Sequence, residues 1–571
     1  MHLAYQRNLK SQRTGVRTCA AVVAALAGGA LALTGCTSGT SASSSSSGSS
    51  ITVFNGATGS VAENFNPFTP TALQPTFGVI YETLFYYNLT SSAVKPAPQI
   101  ATDYKWNTDG TQLTVTTRAG VKWSDGEPFS AADVAYTINL INKVPALNTN
   151  GINATAEATG PDTVVLKFAS TSFVQEANIL GNQPIVPEHI WKNIAAPTTD
   201  INKNPIGTGP YVLKSFDPQS YVLTKNTNYW SPGQPKIGTV RYIALSNADA
   251  ASAALIAGKV DWMSSYFPGL KQLIGGHKNL AYVNTPANTT ELQACTNVSL
   301  GCKGAQTDVA VRQAIFYAVD RTQLNDLAES GFGSVGSPTL LLPDRDKSWI
   351  ADPNNVTSPA KADVAKAESI LQAAGYAKGS DGIYEKGGQR VSVTVQVISG
   401  YSDYISAVST MTTELKAAGI ELKENQVSVN ESSSNVTNGN YELSIANFGA
   451  SVSTNPYYMY WQNYDSSGTA PVGQPAKGDG ARYVNPVVDA ALKAAAATND
   501  PAVQKQQYAL IQTEIVRDMP YISLFVTPTL TEFNTTNVTN WPTNENTYAF
   551  PASWKNWDNG IVLRQVEPRK K

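Results

Sequence analysis

Histidine and cysteine are scarce in this chain of 571 residues, which contains three His and four Cys. His189 and His277 each stand alone in the sequence, so neither a Ser/His/Asp nor a Cys/His catalytic site is supported, and nor is a histidine metal site. Charged residues make up only 15% of the chain, the net charge is -2, and no long basic run follows the first twenty residues. A nucleic-acid-binding protein would carry a concentrated basic face. We therefore expect no enzyme, no cofactor, no metal and no nucleic-acid partner.

The N-terminus is typical of a secretory signal peptide over residues 1–35. Such a signal combines basic residues, a short apolar stretch and small residues before the cleavage site. The basic residues here are Arg7, Lys10, Arg13 and Arg17. The apolar stretch over 19–33 is shorter than the ~20 residues that a membrane span needs. Its end, Leu33-Thr-Gly-Cys36, resembles a bacterial lipobox, which implies cleavage before Cys36 and lipid on that cysteine. An ordinary secretory signal that ends near a cysteine is the alternative.

Residues 36–50 are expected to form a tether, because Ser41–Ser50 has the sequence SASSSSSGSS and has nothing to bury. The tether would let a folded body stand off the cell membrane on its lipid, which is the only membrane contact we expect. Two cysteines remain, Cys295 and Cys302. Neighbouring cysteines outside the cell usually pair, and no His or further Cys stands nearby to complete a metal site. We predict a local disulfide.

Patterning along the rest of the chain predicts an α/β protein with two or three lobes. Alternating apolar residues predict strands over 51–54, 113–117, 221–224 and 391–397. Apolar residues at helical spacing predict helices over 77–87, 308–326, 359–374 and 405–418. The last two helices flank the valine-rich strand 391–397, which indicates a covered sheet. No short internal repeat is visible, so the pattern does not favour a solenoid.

Five segments in chain order carry the most specific pattern: Gly120–Tyr136 (GVKWSDGEPFSAADVAY), Asn204–Tyr211 (NPIGTGPY) with Asn226–Trp230 (NTNYW), Ala257–Asp261 (AGKVD), Val311–Arg321 (VRQAIFYAVDR) and Ala365–Tyr376 (AKAESILQAAGY). Together they resemble the signature segments of the peptide/nickel class of extracellular solute-binding proteins, the family 5 receptors of ABC importers. From the residues alone these segments are structural. Ser130 can cap a helix, and Gly207 and Gly209 shape a tight turn.

The resemblance implies a two-lobed, periplasmic-binding-protein-like α/β fold of the large (cluster C) type, with an extra subdomain in lobe one. It assigns 51–86, 206–294 and 521–571 to lobe one, 87–205 to the extra subdomain and 295–520 to lobe two. Solute would bind in the cleft between the lobes and favour the closed state by hinge bending. The implied partners are a small, peptide-like solute and the permease and ATPase subunits of an ABC importer. We expect a monomer.

The same resemblance implies where the solute makes contact. In lobe one it would meet the loop after the first strand, at Asn55, Gly56 and Ala57. In lobe two it would meet Tyr401 and the aromatic-rich segment 447–464. Aromatic rings supply large contact area at little entropy cost, although we expect some of these rings to lie in the core. The predicted contacts in that segment are Asn447, Phe448, Ser451, Tyr457 and Trp461.

Two differences from peptide-binding relatives reduce the range of solutes that we expect the protein to bind. Those relatives place an Asp shortly after the lobe-two strand, whereas this chain has no acid between Glu442 and Asp465. Dipeptide receptors also carry an Arg in the region that here reads Ser399-Gly400-Tyr401. Losing a charge-assisted contact costs about 1.5–3 kcal/mol, so free dipeptides fit poorly. A longer, blocked or cyclic peptide fits better, and so does an oligosaccharide or another uncharged solute. A hydrolase on this scaffold and a surface protein without transport are further alternatives.

Overall fold

The structure is a computed structural model, which describes residues 49–266, 269–449 and 452–570. The predicted signal peptide, Cys36, most of the predicted tether and Ser451 lie outside the described residues. Ser50, the last residue of the predicted tether, already pairs with Thr239 in the first strand. Within the described residues, no helix combines the length and the apolar character that crossing a membrane requires.

The strands of the described residues are, in chain order, β1 Ser50–Phe54, β2 Phe85–Tyr86, β3 Ala97–Pro98, β4 Ala101–Trp106, β5 Gln112–Thr117, β6 Ala154–Ala158, β7 Thr163–Phe168, β8 Tyr211–Asp217, β9 Ser220–Lys225, β10 Thr239–Ile243, β11 Trp262–Met263, β12 Leu280–Ala294, β13 Ser334–Val335, β14 Ala377–Lys378, β15 Tyr384–Lys386, β16 Gln389–Arg390, β17 Ser392–Ile398, β18 Glu421–Val427, β19 Leu443–Gly449, β20 Tyr521–Asn534, β21 Val538–Thr539 and β22 Glu567–Pro568.

The α-helices of the described residues are α1 Ala131–Lys143, α2 Glu188–Trp191, α3 Ala248–Ile256, α4 Leu270–Gly276, α5 Val309–Ala318, α6 Arg321–Ala328, α7 Val364–Ala373, α8 Ser402–Ala417, α9 Val429–Asn438, α10 Pro456–Tyr464, α11 Pro486–Ala496, α12 Pro501–Asp518 and α13 Asp558–Gln565. The elements confirm the prediction of a mixed α/β protein.

One long sheet runs through both lobes, in the order β18-β17-β19-β12-β20-β11-β1-β10-β9-β8, with β13 paired to β20. Lobe I is built on β1 and β8–β11, and lobe II on β17–β19. Strands β12 and β20 belong to both lobes and pair with each other along nearly their whole length. In lobe I, Val283 and Phe533 of these strands join one buried cluster. In lobe II, Leu292 and Ile522 join another. The predicted lobe boundaries stay predictions.

The crossing point between the lobes has a distinctive pairing. Pro286 of β12 lies opposite Pro528 of β20, and the register shifts between Pro286 and Asn288. Proline has no backbone N–H, so neither proline can donate a hydrogen bond to the ladder. The two-stranded connection is therefore least constrained where it passes from one lobe to the other. We infer that this point is the hinge.

The extra subdomain consists of a four-stranded antiparallel sheet, in the order β4-β5-β7-β6, covered by α1. Helix α1 begins at a capping box, in which Asp133 Oδ2 accepts the Ser130 N–H at 2.9 Å and Ser130 Oγ accepts a backbone N–H. Ile138 of α1 lies in the same buried cluster as Val53 and Tyr242 of lobe I. The subdomain and lobe I thus share one core.

The GTGPY segment, residues 207–211, needs its two glycines because another part of the backbone passes close to it. A Cβ atom at Gly207 or Gly209 would overlap the carbonyl oxygens of Val79 and Ile80. The Gly209 N–H donates to the Ile80 oxygen at 2.9 Å. Asn226, from the following NTNYW segment, donates its side-chain amide to the Gly209 oxygen, also at 2.9 Å. These two segments therefore hold the inside of lobe I together.

Three of the predicted helices differ from the structure. The predicted helix 77–87 is wrong: Gly78 has a φ of +81°, which is not helical, and a Cβ atom at this position would overlap the backbone of Trp557. The predicted helix 308–326 is two helices, because Val319 is extended and Asp320 caps α6. Helix α7 begins at Val364, later than predicted, since its N-cap is Asp363. The strand over 391–397 and the helix over 405–418 are confirmed by β17 and α8.

Cys295 and Cys302 form a disulfide in the structure, with their Cα atoms 5.5 Å apart. Both side chains are buried just past the end of β12. The disulfide closes a short loop in lobe II. The loop follows the C-terminal end of β12, eight residues beyond Pro286.

Glu532 of β20 is a fully buried carboxyl close to the hinge. Its Oε2 accepts the Ser265 N–H at 3.3 Å, and its Oε1 has no hydrogen-bond partner among the described residues. Burial raises the pKa of Glu532 to about 8. The folded protein thus holds this proton more tightly than the unfolded chain does. Its contribution to stability is complete below about pH 4.3 and is lost as the pH rises through 8.

We predict that Glu532→Gln raises the Tm relative to the unsubstituted protein, and that the gain is larger at pH 9 than at pH 5. The amide keeps the shape of the side chain and cannot ionise. Thermal melts followed by circular dichroism at both pH values measure the effect. Glu545→Gln, at an exposed position, is the matched control and should give the same Tm difference at both pH values. A gain for Glu532→Gln that does not change with pH contradicts the prediction.

Candidate functional site

Among the cavities lined by both lobes in the described residues, three share lining residues with one another. The aromatic cavity, of about 500 Å³, is lined by Tyr87, Tyr104 and Trp106 on the lobe I side and by Trp349, Tyr457 and Tyr458 of lobe II. The bridging cavity, of about 260 Å³, is lined by Tyr87, Gly181, Trp557 and Trp554 together with Val452 of lobe II. The hinge cavity, of about 640 Å³, is lined by Tyr266 and Trp554 of lobe I, Glu329, Tyr401 and Asp403 of lobe II, and the hinge segment 527–530.

Shared residues connect the three cavities into one elongated cleft. Tyr87 lines both the aromatic and the bridging cavity, and Trp554 lines both the bridging and the hinge cavity. The walls are rich in aromatic side chains, with a small number of amides and carboxylates between them. Solute sites in proteins have this composition, since rings supply contact area and a few polar groups fix the orientation.

Glu176 is the carboxylate of the aromatic cavity, whose lining also includes Lys105. Its Oε1 accepts the Tyr104 hydroxyl at 3.0 Å and the Tyr87 hydroxyl at 3.3 Å, and its Oε2 accepts the Trp106 indole N–H at 2.9 Å. Burial raises the pKa of Glu176, and these three donors oppose the rise. The carboxylate fixes the orientation of three rings in the wall and leaves their faces available for stacking.

Amide side chains of lobe II complete the aromatic cavity. Asn455 caps α10 and donates its side-chain amide to Gln504 at 3.0 Å, while its oxygen accepts the Tyr508 hydroxyl at 2.6 Å. Ser453 also lines this cavity. These groups can exchange hydrogen bonds with the peptide bonds of a peptide or the hydroxyls of a sugar.

The lobes already contact each other across the cleft. At the aromatic cavity, Tyr458 of lobe II donates its hydroxyl to the Val174 carbonyl of the extra subdomain. At the hinge cavity, the hydroxyls of Tyr266 in lobe I and Ser330 in lobe II lie 2.7 Å apart. Each end of the cleft is thus bridged by a hydrogen bond between lobes.

The loop after the first strand lies at the surface of lobe I. The Asn55 side chain donates to the Tyr221 hydroxyl at 3.4 Å, within lobe I. Gly56 is exposed with a φ of +91°, and no atom lies within 4 Å of the position a Cβ would take. The Ala57 carbonyl accepts the Leu245 N–H at 3.0 Å. These three residues are not among those that line the three cavities, and their contact with solute stays a prediction.

The predicted contacts around the lobe II strands fall in different surroundings. Tyr401 precedes α8 and lines the hinge cavity. Asn447 is exposed on β19. Phe448 packs edge-to-face on Tyr521, with 5.0 Å between ring centres, at the border of a lobe II core. Ser451 lies outside the described residues.

Helix α10 carries the two remaining predictions. Tyr457 lines the aromatic cavity at the first turn of the helix. Trp461 lies one turn further along, is 49% exposed, and is not among the residues that line the cavities. We therefore leave Trp461 out of the proposed binding surface.

The structure adds cleft residues that the sequence reasoning missed. In the extra subdomain they are Tyr104, Trp106 and Glu176, and in lobe II they include Glu329 and Asp403. Tyr104 and Trp106 alternate on β4, so their common face is visible in the sequence. No sequence signal connects either of them to Tyr457, which is more than 300 positions away.

The two histidines that follow the signal peptide are apart from the cleft cavities. His189 lies 2.9 Å from Asp125, and the ring of His277 lies 2.9 Å from the Leu273 carbonyl of its own helix. In the part of the chain that the structure describes, no group of three or more His, Cys, Asp or Glu side chains is arranged to hold a metal ion.

Comparison with known proteins agrees with the fold. Residues 95–470 match the model of the bacterial extracellular solute-binding proteins, family 5 middle. The chain is 29% identical over 446 residues to protein XP55 of Streptomyces lividans, with 76% of each protein covered. It is 26% identical over 486 residues to the glutathione-binding protein GsiB of Salmonella choleraesuis, covering 82% of this chain and 88% of that relative.

The solved structures include a periplasmic oligopeptide-binding protein of an ABC transporter from Thermotoga maritima. It superposes with a TM-score of 0.81 at 25% identity, over 92% of this chain and 100% of that one. A second crystal structure from the same organism, with mannohexaose bound, gives a TM-score of 0.72 at 24% identity, over 92% and 99% of the two chains. These neighbours have the two-lobed fold, and they are transport proteins. The family expected from the five sequence segments is confirmed: the chain belongs to family 5 of the bacterial extracellular solute-binding proteins.

Proposed function

We propose that this extracytoplasmic solute-binding protein captures a peptide-like solute in the interlobe cleft and delivers it to the permease and ATPase of an ABC importer. The observation that carries the proposal is the connected row of three cavities, which draws its walls from both lobes. An extended solute can lie along such a cleft and contact both lobes at once. A single compact pocket would suit a small ion or a single sugar better.

The names of the relatives support a peptide-like solute but do not identify it. One is named a glutathione-binding protein, and another an oligopeptide-binding protein. The T. maritima receptor, also described as oligopeptide-binding, holds mannohexaose in one crystal structure. An oligosaccharide is therefore the second candidate for this chain. The ring faces and amides of the aromatic cavity favour it, since sugars stack on aromatic rings and bond to amides.

Solute binding is proposed to stabilise the closed arrangement of the lobes. The hinge prolines leave the connection between the lobes free to bend, and only a few hydrogen bonds bridge the cleft in the described residues, among them the bond from Tyr458 to Val174. A solute that contacts both lobes binds the closed state better than the open state and shifts the population toward it.

The mature protein is proposed to act as a monomer held to the cell membrane through lipid on Cys36. The Ser-rich segment that follows supports this, because it can act as a flexible spacer between anchor and body. We also propose that the solute is bound and released unchanged. A hydrolase would need a nucleophile and a base that meet in the cleft, and turnover of the bound solute would reveal one.

We predict that Tyr457→Ala weakens solute affinity about tenfold, because a half-buried ring that the solute covers contributes more than about 1 kcal/mol to binding. The solute is first identified by native mass spectrometry of the purified protein with its co-purified ligand. Its affinity is then measured by isothermal titration calorimetry. A free dipeptide in the spectrum would contradict the expectation drawn from the missing charged residues.

Trp461→Ala is the matched control, since it removes an exposed ring from the same helix. Its affinity should equal that of the unsubstituted protein. If Tyr457→Ala binds as well as the control, the aromatic cavity is not part of the binding surface.

We predict that Cys36→Ala moves the protein from the membrane fraction of its host to the culture medium or periplasm, because the lipid has no other attachment point. Immunoblots of the cell fractions measure the change. Cys19→Ala, within the predicted signal peptide, should leave the distribution as it is. A Cys36→Ala protein that stays with the membrane although its signal peptide has been removed would contradict the lipid anchor.

A further inference from the structure

Several large apolar side chains that line the hinge cavity are exposed to solvent. Tyr266, Tyr401, Trp554 and Leu327 are 45%, 44%, 44% and 55% exposed, and all four line this one cavity. Two of them come from lobe I and two from lobe II. A soluble protein rarely leaves several such side chains together unless something covers them. Their convergence on one cavity between lobes indicates that the solute covers them.

Two carboxylates stand in the same cavity. Glu329, at the C-terminal end of α6, is only 5% exposed, and its Oε1 is enclosed without a hydrogen-bond partner among the described residues. Asp403 lies in the first turn of α8 and makes no side-chain hydrogen bond or ion pair within the described part of the chain. No lysine, arginine or histidine is among the described residues that line the cavity.

The nearest elements offer these carboxylates no counter-ion in the cavity wall. The ammonium of Lys271 on α4 lies over the ring of Phe332, 4.4 Å from its centre, and Lys271 does not line the cavity. Burial raises the pKa of Glu329 to about 7, and the charge of Asp403 adds to the rise. Two like charges that share a cavity repel each other, and a bound cation relieves this repulsion and offsets the desolvation of the buried Glu329 carboxylate.

We propose that the hinge cavity is the subsite for a cationic group of the solute, a primary ammonium or a guanidinium on an apolar stem. Glu329 and Asp403 are its counter-ions, and the rings of Tyr266, Tyr401 and Trp554 pack against the stem. Cations also bind favourably over aromatic faces, which suits this lining. The proposal rests on the proposed function and narrows it, because it selects a cationic peptide over a neutral oligosaccharide, whose hydroxyls can donate hydrogen bonds to Glu329 but bring no positive charge to offset the two carboxylates.

The subsite is complete only when the lobes meet. Both carboxylates belong to lobe II, whereas Tyr266 and Trp554 belong to lobe I. The Tyr266 hydroxyl lies 2.7 Å from that of Ser330, the residue next to Glu329, so the lobe I ring is held beside the carboxylate. A cation bound here therefore contacts both lobes beside the hinge.

Matched hexapeptide pairs test the proposal by isothermal titration calorimetry on the mature protein. In one pair only the amino terminus differs, free or acetylated; in the other, a single arginine is replaced by the neutral isostere citrulline. We expect at least one pair to show a preference for the cationic member of about tenfold. Glu329→Gln and Asp403→Asn should each reduce that preference. Asp326 is an exposed carboxylate of α6 outside the cavity. Asp326→Asn removes the same charge and should leave the preference for the cationic peptide unchanged.

The possible results distinguish a failure of the cationic subsite from a failure of the proposed function. Peptides that bind with no preference in either pair overturn the cationic subsite and leave the proposed function intact. A preference that survives in both Glu329→Gln and Asp403→Asn also overturns it, because the cation would then lie elsewhere. If no hexapeptide binds, the peptide-like solute fails and the subsite fails with it. Asp403 is partly exposed, so its variant supplies the test even if Glu329→Gln fails to fold.

Discussion

The shared strands β12 and β20 are the constraint on which the two-lobed structure depends. Each strand contributes apolar side chains to the core of both lobes, so neither lobe can form completely without the other. Arg321 reinforces the lobe II half: its Nε donates to the Ser523 carbonyl of β20 at 2.8 Å, and its other nitrogens bond to the Phe316 and Pro359 carbonyls. Both ends of the two strands are attached in this way, and the inferred hinge lies between them at Pro286 and Pro528, where the ladder lacks donors.

The sequence predicts the fold well because the residues of the family segments are needed for local packing and helix capping. Gly207 and Gly209 are required by close backbone approach, and the Ser130 cap starts the helix of the extra subdomain. Such requirements are local and leave visible marks in a sequence. The helix expected over 77–87 failed because its neighbour, the Trp557 backbone, comes from the other end of the chain, and no local pattern announces that contact.

The site was harder to predict, for the same physical reason. Tyr457 was found because aromatic residues cluster in 447–464, but the cluster does not say which ring faces the cleft. Only the first turn of α10 reaches the aromatic cavity, so Trp461, on the last turn, misses it. The carboxylates of the cleft could not be found from the sequence, because Glu176, Glu329 and Asp403 come from three separate parts of the chain. The lack of an acid between Glu442 and Asp465 argued against free dipeptides and favoured a longer, blocked or cyclic peptide or an uncharged solute, whereas the cleft contains acids from other elements.

The common core of lobe I and the extra subdomain has a kinetic consequence. Since Ile138 and Val53 lie in one buried cluster, the subdomain would move with lobe I as one body in the proposed hinge bending, and the aromatic and hinge cavities would then open together. A solute that spans the cleft cannot leave one end first while the lobes stay closed. Under the proposed function, its residence time would be set by the rate at which the whole molecule opens, and a transporter that engages both lobes could control release by controlling that single motion.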